Sequence, residues 1–138
     1  MAQLYYRYST MNAGKSIEVI KVAHNYEERG KRPFVLSSGL DDRYGKGKIV
    51  SRIGLERDAV MIYDDTNILT LFLEENEKEK IDCVIVDECQ FIKKHHVEEL
   101  IEIVDSCNTP VLCYGLKNDF RNELFEGSYW LLVYADKI

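Results

Sequence analysis

Proline is scarce in this chain, with two residues in 138, and no apolar stretch approaches the roughly 20 residues that a membrane-spanning helix needs. With no repeat, low-complexity tract or linker, the length fits a single domain with a sizeable core, residues 1–138. The N-terminus, Met1 to Tyr6, has no basic region followed by a long apolar run, so a secretory signal is not expected and the protein reads as cytoplasmic, with no membrane partner. A basic surplus is also missing. The 18 Lys and Arg stand against 24 Asp and Glu, a net charge of -6, which argues against a nucleic-acid partner and for a small-molecule substrate. The four cysteines, Cys83, Cys89, Cys107 and Cys113, form no CxxC pair, and they read as free buried thiols rather than a disulfide or metal framework. The 46% hydrophobic and 30% charged contents are those of a soluble globular domain.

What is present is an alternation of apolar blocks. Gln3 to Tyr8 reads as a strand, Ser16 to Arg29 as a helix with a basic last turn stopped by Gly30, and Phe34 to Leu36 as a second strand ending at Ser37-Ser38-Gly39. The polar, glycine-bearing stretch from Gly39 to Glu56 is expected to be a long mobile loop. Ala59 to Tyr63 suggests a strand and Asn67 to Lys80 a helix. Cys83-Val84-Ile85-Val86 is a continuous apolar run of the kind found in a central parallel strand. From Lys94 to Cys107, Val97, Leu100, Ile101 and Val104 make one apolar helix face, and Val111 to Gly115 follows as another buried strand. Strands alternating with helices of this length imply an α/β fold, a parallel sheet with helices on both faces.

The first chemical motif is Ser9-Thr10-Met11-Asn12-Ala13-Gly14-Lys15-Ser16, set between an expected strand and an expected helix. A phosphate-binding loop needs that context: successive backbone N–H groups curl round the phosphates, and the positive end of the following helix points at them. Lys15 would reach the outer phosphates and the Ser16 hydroxyl would ligate Mg²⁺. The signature normally opens with Gly, and here Ser9 takes that place, which requires a turn of negative φ. Gly-Lys-Ser alone could be a chance helix start, so the reading depends on its flanks and on the acidic pair Asp87-Glu88 directly after Val86. Carboxylates at the carboxyl end of a buried strand lie where open α/β sheets bind ligands. Asp87 there would hold Mg²⁺ or one of its waters, and Glu88, ionised at neutral pH, could take a proton from an attacking hydroxyl.

Other features read as structural. His95 and His96 are expected to be a solvated pair at a helix start rather than a metal site. Tyr5, Tyr6 and Tyr8 are expected to pack in the core, and Asp41-Asp42-Arg43-Tyr44 suits a charged turn. Arg52 suits either a surface charge or a phosphate clamp.

The Ser9–Ser16 loop, Asp42-Arg43-Tyr44, Asp87-Glu88-Cys89-Gln90-Phe91, and Cys113-Tyr114-Gly115-Leu116 through Asp119-Phe120-Arg121 together resemble the cytosolic, zinc-bearing type of thymidine kinase. The likeness is to its bacterial members and runs from Leu4 to about Ile138; one bacterial branch also starts the loop with Ser. The resemblance implies a P-loop NTPase-like core that transfers a phosphoryl group from Mg-ATP to the 5′-hydroxyl of deoxythymidine, with Glu88 as the catalytic base. It implies an ATP site of Ser9 to Ser16 with Asp87, Glu88, Cys89 and Gln90, and Mg²⁺ on Ser16 and Asp87. Met11, Arg52, Phe91, Phe120 and Phe125 would bind substrate, Met11 beside the 5-methyl group of thymine and Phe120 and Phe125 as walls of the base pocket. A homotetramer inhibited by dTTP is likewise implied. The family runs several dozen residues further, through a segment with two pairs of Zn²⁺ ligands and a lasso loop over the thymine. No such Cys or His ligands are expected in this chain. The rival readings are an ATP hydrolase or nucleic-acid motor, whose Glu activates water, and a nucleotide-binding module without catalysis.

Overall fold

The computed structural model describes residues 1–9, 15–38, 47–51, 53–117 and 124–138. Its central sheet holds five parallel strands: β1 (Leu4–Ser9), β2 (Pro33–Ser38), β5 (Val60–Ile62), β6 (Cys83–Asp87) and β7 (Val111–Leu116). Their order across the sheet is β1-β7-β6-β2-β5, with β6 in the middle. Among the described residues four helices accompany them: α1 (Lys15–Glu28), α2 (Ile68–Lys78), α3 (Lys94–Cys107) and α4 (Glu126–Tyr134).

Alternation along the strands builds two cores from one sheet. Every residue of β6 is buried, and Cys83 and Ile85 pack with Val19 and Ala23 of α1, while Val84 and Val86 pack with Phe72, Leu100 and Leu131 of the other three helices. Successive strand side chains point to opposite faces, so a strand covered on both sides must be apolar throughout. That is why Cys83 to Val86 was legible as a central strand. The α2 helix starts where the Asn67 side chain accepts a hydrogen bond from the Thr70 N–H at 2.9 Å. The α1 helix ends at Glu28, one residue before the expected Arg29, and no basic residue lies in its last turn. Gly30, at φ 74, donates its N–H to Glu27 and closes the turn as expected.

The expectation of a long mobile loop from Gly39 to Glu56 needs correcting, although residues 39–46 and Arg52 lie outside the described residues. Lys48–Val50 (β3) pairs antiparallel with Glu56–Asp58 (β4), Ile49 opposite Arg57. Ile49 is buried against the α1 side of the sheet, and Lys48 lies between Glu56 at 3.6 Å and Asp58 at 3.7 Å. One apolar residue and matched charges make a strand pair that composition alone conceals. The α4 helix was also missed, since its apolar residues from Tyr129 to Tyr134 run without a helical period. All four cysteines are free thiols; Cys83, Cys89 and Cys113 are buried and Cys107 half-buried. No described helix is long and apolar enough to cross a membrane.

Candidate active site

The strands are parallel, so their carboxyl ends meet at one edge of the sheet, and the two motifs arrive there from different strands. β1 ends at Ser9 and α1 begins at Lys15; β6 ends in Asp87. The strand between them is β7, which pairs with β1 from Leu4↔Val111 to Ser9↔Leu116 and with β6 from Val84↔Val111 to Val86↔Cys113. This topology brings the second residue of α1 to the end of β6. The Ser16 Oγ donates to Asp87 Oδ2 at 3.3 Å, across 71 residues of sequence. Asp87 is 3% exposed. A hydroxyl and a buried carboxylate side by side are hard oxygen donors of the kind Mg²⁺ takes.

Past Asp87 the backbone turns sharply. Glu88 has φ 56 and ψ 39, a left-handed conformation that costs a non-glycine residue free energy. The turn continues as a short 3₁₀ segment, Cys89–Phe91. Within it Gln90 is 2% exposed and spends its amide on protein groups: Nε2 donates to Glu88 Oε2 at 2.8 Å, and Oε1 accepts the Leu116 N–H at 3.1 Å. Cys89 turns a fully buried thiol into the core, and burial pushes its pKa well up, so any part it plays at this edge falls to its backbone. Phe91 and Phe125, both half-buried, meet edge to face with ring centroids 5.5 Å apart.

Of the residues singled out from sequence, Ser16, Asp87, Glu88, Cys89, Gln90, Phe91 and Phe125 thus have described side chains. Ser9 ends β1 and Lys15 opens α1. Thr10, Met11, Asn12, Ala13, Gly14, Arg52 and Phe120 lie outside the described residues, as does the expected turn at 41–44. Tyr6 is in the core, whereas Tyr5 and Tyr8 are half-buried. The sequence reading placed Gly115 in a strand and a motif without giving it a role, and passed over Ser128. A Cβ at Gly115 would stand 2.3 Å from Gln90 Oε1, so the Gln90 amide occupies the space a side chain would need. Ser128 Oγ donates to the Leu116 carbonyl at 2.5 Å, which the Tyr6 hydroxyl also reaches at 3.2 Å. Its only sequence signal was a small polar residue in an apolar stretch.

The expectation of a solvated His95–His96 pair is half wrong. His96 is 1% exposed, because the third position of α3 faces inward and its Nδ1 accepts the Lys93 N–H at 2.9 Å. With Glu99 these residues form a group of possible metal donors, their ligand atoms within 4.8 Å of one another. The hydrogen bonds argue against a cation. In neutral His96 an accepting Nδ1 leaves the proton on Nε2. His95 faces two acceptors, the Glu99 carboxylate and the Asp64 carbonyl, each at 2.7 Å, which calls for protons on both its nitrogens. The Glu99 bond is the main cause that raises the His95 pKa, while burial lowers that of His96. Glu99 also accepts the Ile68 N–H at 2.7 Å. The cluster is a hydrogen-bonded clasp between α3 and the segment leading into α2.

A parallel sheet with α1 following β1 and an acidic strand end on the same edge has the α/β architecture of a P-loop NTPase-like fold. A sequence model of the thymidine kinase family matches residues 2–138. The chain is 59% identical to the thymidine kinase of Lactiplantibacillus plantarum, all 138 residues covering 71% of that relative. It is 57% identical to the Enterococcus faecalis thymidine kinase, over 70% of its length, and 58% identical to that of Listeria monocytogenes, over 71%. This chain belongs to the thymidine kinase family.

Proposed function

We propose that the chain is the nucleotide-binding core of an enzyme transferring the γ-phosphoryl group of ATP to the 5′-hydroxyl of deoxythymidine, giving dTMP and ADP. Family membership supports the reaction, and the single observation that supports the site is the Ser16–Asp87 contact beside Glu88. In this reading the amides of residues 10 to 14 and the Lys15 ammonium hold the phosphates. Ser16 and Asp87 would hold Mg²⁺, which when bound neutralises charge on the phosphates. Glu88 accepts the proton of the 5′-hydroxyl as that oxygen attacks phosphorus, and ADP leaves. Phe91, Phe120, Phe125 and Met11 would form the thymine pocket, and Arg52 would face the phosphates. A homotetramer, feedback inhibition by dTTP and a cytoplasmic location belong to the same proposal.

Release of ADP from ATP, measured with and without thymidine, tests it. Thymidine-dependent release supports the kinase. Release that is independent of thymidine, or that responds to nucleic acid instead, overturns it in favour of hydrolysis. ATP binding without turnover would leave only a binding module.

A further inference from the structure

The two ends of one buried amide tie the acidic turn to the strand beside it. Gln90 lies two residues beyond Glu88, and its Nε2 donates to the Glu88 carboxylate while its Oε1 holds the Leu116 N–H at the end of β7. Leu116 is held from its other side as well, its carbonyl accepting from Tyr6 and Ser128. Behind the amide, Gly115 supplies the space that any larger residue would fill. Glu88 itself stands in a left-handed conformation, which persists only where its surroundings determine it. An amide this enclosed is poorly placed to bind a nucleotide and well placed to aim a carboxylate.

We propose that Gln90 is a positioning residue that acts through Glu88: it fixes the rotamer of the carboxylate and references it to the end of β7, immediately before residues 118–123. The role rests on the reading of Glu88 as the base that takes the 5′-hydroxyl proton. Gly115 belongs to the device as the position whose lack of a side chain lets the Gln90 amide reach Leu116.

A double-mutant cycle tests the kinetic role. Gln90→Met keeps length and removes both hydrogen bonds. It should lower kcat about 10- to 100-fold and leave the KM for ATP unchanged. In a Glu88→Gln background the same change should cost nothing more, because the group it aims is gone. A raised KM with intact kcat would overturn the proposal, since the amide would then touch the nucleotide. Losses that add in the double variant would overturn it too. If Gln90→Met does not fold, Gln90→Glu keeps the acceptor for the Leu116 N–H, removes the donor to Glu88 and should show the same split between kcat and KM.

A second measurement needs no turnover. In Glu88→Ala the carboxamide proton resonances of Gln90 should shift, and in Gln90→Met the Leu116 amide should exchange with solvent faster. Unchanged spectra would overturn the linkage. Should the wild-type chain show no thymidine-dependent turnover while these spectra change, the base assignment falls and the link between Gln90 and Glu88 stands.

Discussion

Two polar segments of this chain are held in contrasting ways. The turn from Asp87 to Phe91 hangs from the central strand, with Asp87, Cys89 and Gln90 buried and a strained Glu88 between them. The β3–β4 pair projects from the α1 face on one buried residue, Ile49, with Lys48 paired to Glu56 and Asp58 at its exposed surface and the half-buried Arg57 paired to Glu27 of α1. Arg57 reaches the Glu27 carboxylate with both terminal nitrogens, at 3.0 and 2.5 Å, and holds the pKa of Glu27 below its usual range. Buried hydrogen bonds in a desolvated turn set geometry, whereas exposed ion pairs contribute little and weaken with salt. The base proposed at Glu88, which would have to meet one hydroxyl, suits the first kind of support. A segment such as the β3–β4 pair, which carries the candidate phosphate-facing Arg52 in its connection, can use the second.

The largest effect should come from the acidic turn. Glu88→Gln preserves shape and removes the proton acceptor, so kcat should fall about 100-fold or more with ATP affinity retained. Steady-state kinetics with a separate ATP-binding assay checks this, and equal turnover would remove Glu88 from the mechanism. Next, Gly115→Ala forces a methyl group to within 2.3 Å of Gln90 Oε1 and should destabilise the fold by about 3 kcal/mol, the upper end for overpacking. Urea denaturation measures it. In the β3–β4 pair, Ile49→Ala should cost about 2 kcal/mol, the lower end for a buried aliphatic, because Ile49 is the one buried residue that this pair adds to the α1-side cluster. Lys48→Ala, which removes the exposed pairs with Glu56 and Asp58, should cost at most about 1 kcal/mol and less as salt rises. A larger or salt-independent loss would dissolve the contrast between the two supports.

The His95 clasp offers the smallest and most pH-dependent effect. Its pKa is raised in the folded state, first by the Glu99 bond and also by Asp64 and Glu126. The stabilisation is therefore complete below the unfolded value of about 6.5 and disappears as pH rises through the higher folded value. His96, shifted the other way by burial and by His95, loses stability as pH falls. The gap in Tm between wild type and His95→Gln should therefore be wider at pH 6 than at pH 8.5. A gap that does not change with pH would mean that the two acceptors around His95 do not hold a charged ring.

The sheet was legible where burial is two-sided or a helix has one apolar face. Cys83 to Val86 and Lys94 to Cys107 fell where their patterns placed them because hydrophobic period alone decides such elements. β3 and β4 were hidden because three-residue strands with charged ends leave almost no period to read. α4 was hidden for the opposite reason, since apolar residues all round a helix erase its stripe. In the candidate site, motif spacing pointed to Ser16, Asp87 and Glu88, and the structure brings Ser16 and Asp87 into contact. For Gln90 the resemblance implied only a place in the ATP site, and for Gly115 no role. The positioning role proposed for them depends on β7 lying beside the end of β6, a long-range contact that local sequence does not encode. His96 was misread because one turn of α3 decides whether a histidine meets solvent or core.

Transfer of labelled phosphate from [γ-³²P]ATP to thymidine, with Glu88→Gln run beside wild type at saturating ATP, bears most directly on the joined edge of β1 and β6. Labelled dTMP from the wild type and about 100-fold less from the variant, at equal ATP occupancy, is the expected result. Equal dTMP from both proteins, or label released only as inorganic phosphate, would contradict it.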